Sequence, residues 1–381
     1  MESVRAAWYK REVDAISVRL IASEAGCAPS AIGYHFGDLE RLYHVAAEAA
    51  ATDARRWAAH MLARFEGVGD DAPCDAARAA IIAAAIHQWC TAERPLALAR
   101  RRSRALGFTG FERDWRDFWH RLARLIGLER HAATLALFAD GEAARHLLDW
   151  DPVLDRLLLE ETARALVDWL ARGKTGAAPM RVQHSRCAVR AYDRPAPRRE
   201  ETARPILDAA ADLLAEQGHR GLTFRAIADR AGVTLGMVVH HCGTRGELLR
   251  DALHRLYERE AMREEAGGLA GLTFVPEDMI DRILEAVGPG ANPVLKAYDE
   301  IELALYNDPQ FTGLRGLVRS MEDPSGTWSL GQITGLERPP APLVAAFSAT
   351  VRGIGFMAAS EGKLRGQTRD YAQAGLAAFA R

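Results

Sequence analysis

One thirty-residue pattern occurs twice in this 381-residue chain, 206 residues apart, and each copy spells helix, glycine turn, helix. Repetition of that kind constrains the fold before composition does, because both copies must build the same local unit. Residues 17–46 and 223–252 align without a gap, with nine identities: Arg19, Ile21, Ala22, Ala25, Gly26, His35, Gly37, Leu42 and Ala46. In each copy a hydroxyl residue, Ser17 or Thr223, stands where it can accept from an orphan amide and cap a short helix. Val18, Ile21, Ala22 and Ala25, like Phe224, Ile227, Ala228 and Ala231, recur at the spacing of one buried helical stripe. Gly26 and Gly232 then release the chain through a left-handed conformation. The second helix starts at Pro29, where a missing amide costs little, or after Thr234 as N-cap. Such a unit lays a recognition helix in the DNA major groove.

Both copies resemble the N-terminal domain of the tetracycline-repressor (TetR) family, whose run reads (T/S)-x-x-x-I-A-x-x-A-G-V-S-x-x-x-L-Y-x-(H/Y)-F-x-(S/T)-K-x-x-L. Copy two carries the pattern at Thr223, Ile227, Ala228, Ala231, Gly232, Val233, Thr234, His241, Thr244, Arg245 and Leu248. Copy one carries it at Ser17, Ile21, Ala22, Ala25, Gly26, His35, Phe36 and Leu42. The resemblance implies an all-α fold, a double-stranded DNA operator and a small-molecule effector of unknown identity; no Ser-His-Asp, paired-carboxylate or P-loop arrangement stands out, so neither an enzyme nor a cofactor is expected. The groove-facing residues it implies are Ala28, Pro29, Ser30, Ala31 and Tyr34 in one head, and Thr234, Leu235, Gly236, Met237 and His240 in the other. Ser17, Arg19, His35, Thr223, Arg225, His241, Thr244 and Arg245 complete the contact set. The polar groove-facing members suit base edges, whereas Ala31, Leu235 and Met237 suit apolar contacts such as thymine methyls.

Departures from the family run have consequences. Its phosphate-touching tyrosine is Gly33 in copy one and Val239 in copy two, its phenylalanine is Cys242 in copy two, and its lysine is Leu39 in copy one and Arg245 in copy two. Lost phosphate contacts predict weaker or more salt-sensitive binding by either head alone. The segment matching Ile206 to Gln217 would open at about Met1, so the first helix of copy one is expected to be trimmed or to start upstream.

A length of 381 residues allows two or three domains, and 49% hydrophobic content is ample for packed cores. The repeat divides it into a first head (1–46), a first helical body (47–172), a linker (173–199), a second head (200–256) and a second body (257–381). The linker holds Lys174, Arg181, Arg186, Arg190, Arg194, Arg198 and Arg199 without apolar periodicity. It reads as a solvated tether, or as a basic tail that brushes the DNA backbone. Net charge is −2, and residues 1–45 hold five Lys or Arg against six Asp or Glu, so charge lends DNA binding no support. Five scattered cysteines without a CxxC pair suit a reducing cytoplasm. With no charged-then-apolar leader, and apolar runs such as Ala79–Ile86 too short for a bilayer, a cytoplasmic protein without membrane contact is expected.

After each head the pattern is helix upon helix. Asp38 can cap a long helix reaching toward Phe65, and Thr244 with Glu247 forms a capping box. Further helices are expected near Ala76–Thr91, Pro95–Leu106, Phe111–Ile126, His131–Leu148 and Val153–Ala171. In the second body they are expected near Glu277–Val287, Pro293–Tyr306, Phe311–Met321, Pro342–Ser360 and Thr368–Ala380. In the family resembled, the last two helices of each subunit make a four-helix dimer bundle. Carried over, Leu135, Leu154, Leu158, Leu166 and Leu170 would face Val344, Phe347, Val351, Ile354 and Leu376 within one chain, an intrachain pseudo-dimer with unlike heads and hence an asymmetric operator.

Candidate effector contacts are Trp89, Phe111, Trp115, Phe118 and Trp119 in the first body, and Tyr298, Glu302 and Tyr306, near Trp328, in the second; plain core is the competing reading. His87 reads as a satisfied histidine before a ligand contact, and Arg100, Arg101, Arg102 and Arg104 as a solvated helix face, with an acidic effector or DNA phosphate as the competing reading. Gly353–Ala358 imitates a dinucleotide fingerprint without the strand it needs, so its small residues fit a close helix crossing better. His240, His241 and Cys242 are helix neighbours about 100° apart and cannot converge on a metal. Two other classes stay open: a small-molecule or protein-binding sensor whose heads have lost DNA, and a helical enzyme.

Overall fold

A computed structural model describes residues 2–10, 16–67, 74–192, 200–264, 274–288, 293–306, 312–320, 324–361 and 366–380. Among them there is helix and no strand. The first half runs α1 (Glu2–Lys10), α2 (Val18–Ala25), α3 (Pro29–Phe36), α4 (Leu39–Ala63), α5 (Asp75–Thr91), α6 (Arg94–Ala105), α7 (Gly110–Leu125), α8 (Ala132–His146) and α9 (Pro152–Arg172). Then come α10 (Pro179–Tyr192), α11 (Glu200–Gly221), α12 (Phe224–Ala231), α13 (Leu235–Cys242), α14 (Arg245–Glu264) and α15 (Pro276–Ala286). The chain ends with α16 (Pro293–Leu305), α17 (Thr312–Ser320), α18 (Pro324–Thr334), α19 (Ala341–Glu361) and α20 (Gln367–Ala377).

Local chemistry sets most of these boundaries. Asp38 accepts from Arg41 N at 2.8 Å to start α4, and Asp151 accepts from Val153 N and Leu154 N to start α9. Thr244 and Glu247 bond reciprocally, at 2.8 and 3.3 Å, across the first turn of α14. Two helices go beyond the sequence expectation. One is α18; the other lies in the linker, which is not a plain tether, because Pro179–Tyr192 is helical and docks on α9, α17 and α19. The cause is Arg181, which is fully buried and donates to Thr162 Oγ1 at 2.7 Å, while Glu161 accepts from its backbone N at 2.6 Å. An isolated arginine has no periodicity to announce such a mooring. Of the basic linker residues, Arg194, Arg198 and Arg199 lie outside the described residues.

The middle of the molecule is where the halves meet. α8 lies along α19, with α9 also on α19 and α20 on α8. A β-carbon added to Gly141 would stand 1.9 Å from the carbonyl oxygen of Ala349, and one on Gly353 2.1 Å from that of Leu137. Gly353 follows Gly141 by the same 212-residue interval that separates Ala349 from Leu137, so this is one contact made twice with the helices exchanged. Leu135, Leu158, Leu166, Leu170, Val344, Phe347, Val351, Ile354 and Leu376 are all buried, while Leu154 is half-buried. One stretch, Ala341–Ser360, is long and apolar enough to cross a bilayer, contrary to the expectation that every apolar run is too short; 83% of it is buried within the protein.

The arginine face of α6 is a correction. Arg100, Arg101, Arg102 and Arg104 are 2–7% exposed, not solvated. Arg100 and Arg104 hold Asp140 at 2.6 and 2.7 Å, and Arg104 also reaches Glu112 at 2.7 Å. Paired and hydrogen-bonded charges tolerate burial that lone ones do not. Those partners sit on α7 and α8, so only the tertiary fold could supply them.

Candidate nucleic-acid interface

The first helix and glycine turn are built alike in the two copies, whereas the second helix is capped by a side chain at Thr234 and not at Ala28. Ser17 Oγ accepts from Leu20 N at 3.2 Å and Thr223 Oγ1 from Ala226 N at 3.1 Å, each capping the first helix of its turn. Gly26 adopts φ 66°, ψ 30° and Gly232 adopts φ 67°, ψ 31°, a left-handed step open to glycine without steric cost. Ile21 and Ala22, and likewise Ile227 and Ala228, are buried where each short helix packs on the helix before it and the helix after it.

This leaves α3 and α13 with one face in solvent. On α3, Ala28, Pro29, Ser30, Tyr34 and His35 are exposed, Tyr34 by 86%, and Ala31 is half-buried. On α13, Thr234, Leu235, Gly236, Met237 and His240 are exposed, and His241 is half-buried. Ser17, Arg19, Thr223, Arg225, Thr244 and Arg245 are exposed around these helices. The hydroxyl of Thr234 is engaged, accepting from Met237 N at 3.3 Å, as is that of Thr244 with Glu247. Val239 enters the sequence reading only as a lost tyrosine, yet it is 48% exposed, one turn from Leu235 and on the same apolar strip; that i, i+4 spacing was the available signal. Cys242 turns inward, and burial pushes its thiol up to about 11.

Residues 206–252 match the family described as bacterial regulatory proteins, tetR family. Residues 206–252 are a tetR-family segment. A 92-residue stretch, 24% of this chain and 44% of the relative, is 37% identical to the HTH-type transcriptional repressor Rv3405c of Mycobacterium tuberculosis. Another of 117 residues, 29% of this chain and 55% of the relative, is 34% identical to the HTH-type transcriptional repressor KstR2 of Rhodococcus jostii. The chain thus spans about half the length of the curated relatives it matches.

The first body is densely filled where effector contacts were expected. Trp89 packs on Trp57 with ring centroids 4.8 Å apart and on Trp115 at 5.3 Å, and Phe118 and Trp119 close the stack. The space left beside them is about 20 Å³, room for about one water. A cleft of about 550 Å³ lies outside this cluster, between α4 and the α6–α7 corner, lined by His44, Glu48, Thr52, Arg55 and Phe108; of the expected set, Phe111 borders it. In the second body Tyr298, Glu302 and Tyr306 are buried, and they face protein groups: Glu302 meets Arg352 at 2.8 Å and Arg101 at 3.4 Å, and Tyr306 donates to Ala144 O at 3.0 Å. Burial raises the Glu302 carboxyl even against those two guanidinium groups. His87 is half-buried and 2.9 Å from His146; burial, then that neighbour, lowers its pKa.

Proposed function

We propose that this chain is a DNA-binding transcriptional regulator, a ligand-responsive repressor, that reads an asymmetric operator as a single molecule. The observation that carries the reading is the second head: its helix–glycine–helix geometry presents Leu235, Met237 and His240 outward on a helix of groove size, within the segment that matches the tetR family. The repressor part leans on the likeness to two transcriptional repressors. Support for a single-molecule reader comes from the α8–α19 crossing, which joins the bodies behind two heads of like geometry and unlike sequence. Two identical heads prefer a palindrome, whereas Tyr34 on one side and His240 on the other call for different half-sites.

The test is genome-wide recovery of DNA bound to the purified chain, followed by gel-shift titration of the recovered sites. Two unlike half-sites about one helical turn or more apart are expected. Recovery of no DNA would instead favour a sensor with silent heads, and preference for a perfect palindrome would remove the asymmetry.

A further inference from the structure

Charge is distributed oppositely in the two bodies. Counted from the prolines near the start of α6 and α16, Pro95 and Pro293, Arg104 corresponds to Glu302 and Arg101 to Asp299. By the interval that relates the two glycine contacts, Asp140 on α8 corresponds to Arg352 on α19. The first half therefore pairs Arg104 with Asp140 at 2.7 Å, and the second pairs Glu302 with Arg352 at 2.8 Å: one ion pair at one place in the fold, with its polarity reversed. Arg100 sits on Asp140 as Tyr298 sits on Arg352, which keeps the register.

Reversed polarity lets the halves bond to each other. Arg101 of the first half reaches Glu302 of the second at 3.4 Å and Asp299 at 3.9 Å. Arg319 of the second half holds Glu142 of the first at 2.7 Å, and Asp155 as well. Arg101, Glu302, Arg319, Glu142 and Asp155 are each at most 5% exposed, so every one needs its partner. Two first halves would bring arginine-bearing α6 helices together. Two second halves would face Glu302 and Asp299 with their like, and would set Arg319 against Ile354, the counterpart of Glu142.

Resting on the reading of the chain as its own dimer, we propose that this buried charge pattern is a pairing code: the surface of the first half fits the second half and rejects a second copy of itself, so the unlike heads are always paired. The test uses the full chain. Glu302→Arg with Arg352→Asp gives the second half the first half's polarity, preserving its internal ion pair while setting the introduced guanidinium against that of Arg101. A fall of about 5–10 °C in unfolding midpoint is expected, with at least half recovered on adding Arg101→Glu. No fall, or a fall that Arg101→Glu leaves untouched, overturns the proposal. Should the double variant be insoluble, a double-mutant cycle of the milder Arg101→Met and Glu302→Gln decides: coupling of about threefold or more in the folding equilibrium supports the code, and independence refutes it. None of these readouts uses DNA, so their failure is distinct from failure of operator binding.

Discussion

Arg245 stands exposed at the start of α14, its guanidinium donating to His219 O at 3.3 Å, in the place where the family run has lysine. Arg245→Ala is expected to weaken operator binding about threefold to tenfold and to lower the slope of log affinity against log salt by about one, with circular dichroism unchanged. Thr223→Ala acts differently: it removes the acceptor for Ala226 N and should cost about 1 kcal/mol in urea unfolding. The Thr223 cap was legible in sequence because it joins residues three apart. The α6 arginines were not, since the carboxylates that let them be buried lie 8 to 40 or more residues away on other helices.

At the scale of elements, small residues decide how closely helices approach. Gly141→Ala or Gly353→Ala would drive a methyl into a carbonyl oxygen on the facing helix, and each is expected to cost about 1–3 kcal/mol in urea unfolding. The glycine-rich run in α19 already pointed to such a crossing; which helix it meets was beyond periodicity alone. α10 adds a pH dependence. Burial, with Arg181 and Arg319 nearby, depresses His184 to about 4, so the folded imidazole refuses a proton that the unfolded one takes below about 6.5. Stability should therefore fall as pH drops from about 6.5 to 4 and level off below, and His184→Gln should flatten part of that slope in thermal scans. The proline-rich, arginine-rich composition around α10 hid this helix because it is held by a few polar anchors and lacks an apolar stripe.

For the whole molecule, the expected stoichiometry is one chain per operator, measurable as the mass of the complex by light scattering. Symmetric operators made by doubling either half-site should bind at least about tenfold more weakly than the natural site, since one or two mismatched base pairs cost that much. Equal affinity for either doubled site would mean that the two heads read alike despite Tyr34 and His240.

Helix type, the capped first helix of each copy, the glycine turns and the approximate place of most helices follow from the order of residues, because each rests on hydrogen bonds and apolar spacing within a few positions. Where the charges end up does not. Whether Arg100 or Arg181 meets water or a carboxylate, whether Trp89 and Trp115 enclose a ligand or fill a core, and whether Glu302 faces an effector or Arg101 all depend on which distant helices come together. The free energy of a buried charge or ring is set by its neighbours in space, and that neighbourhood exists only in the folded chain.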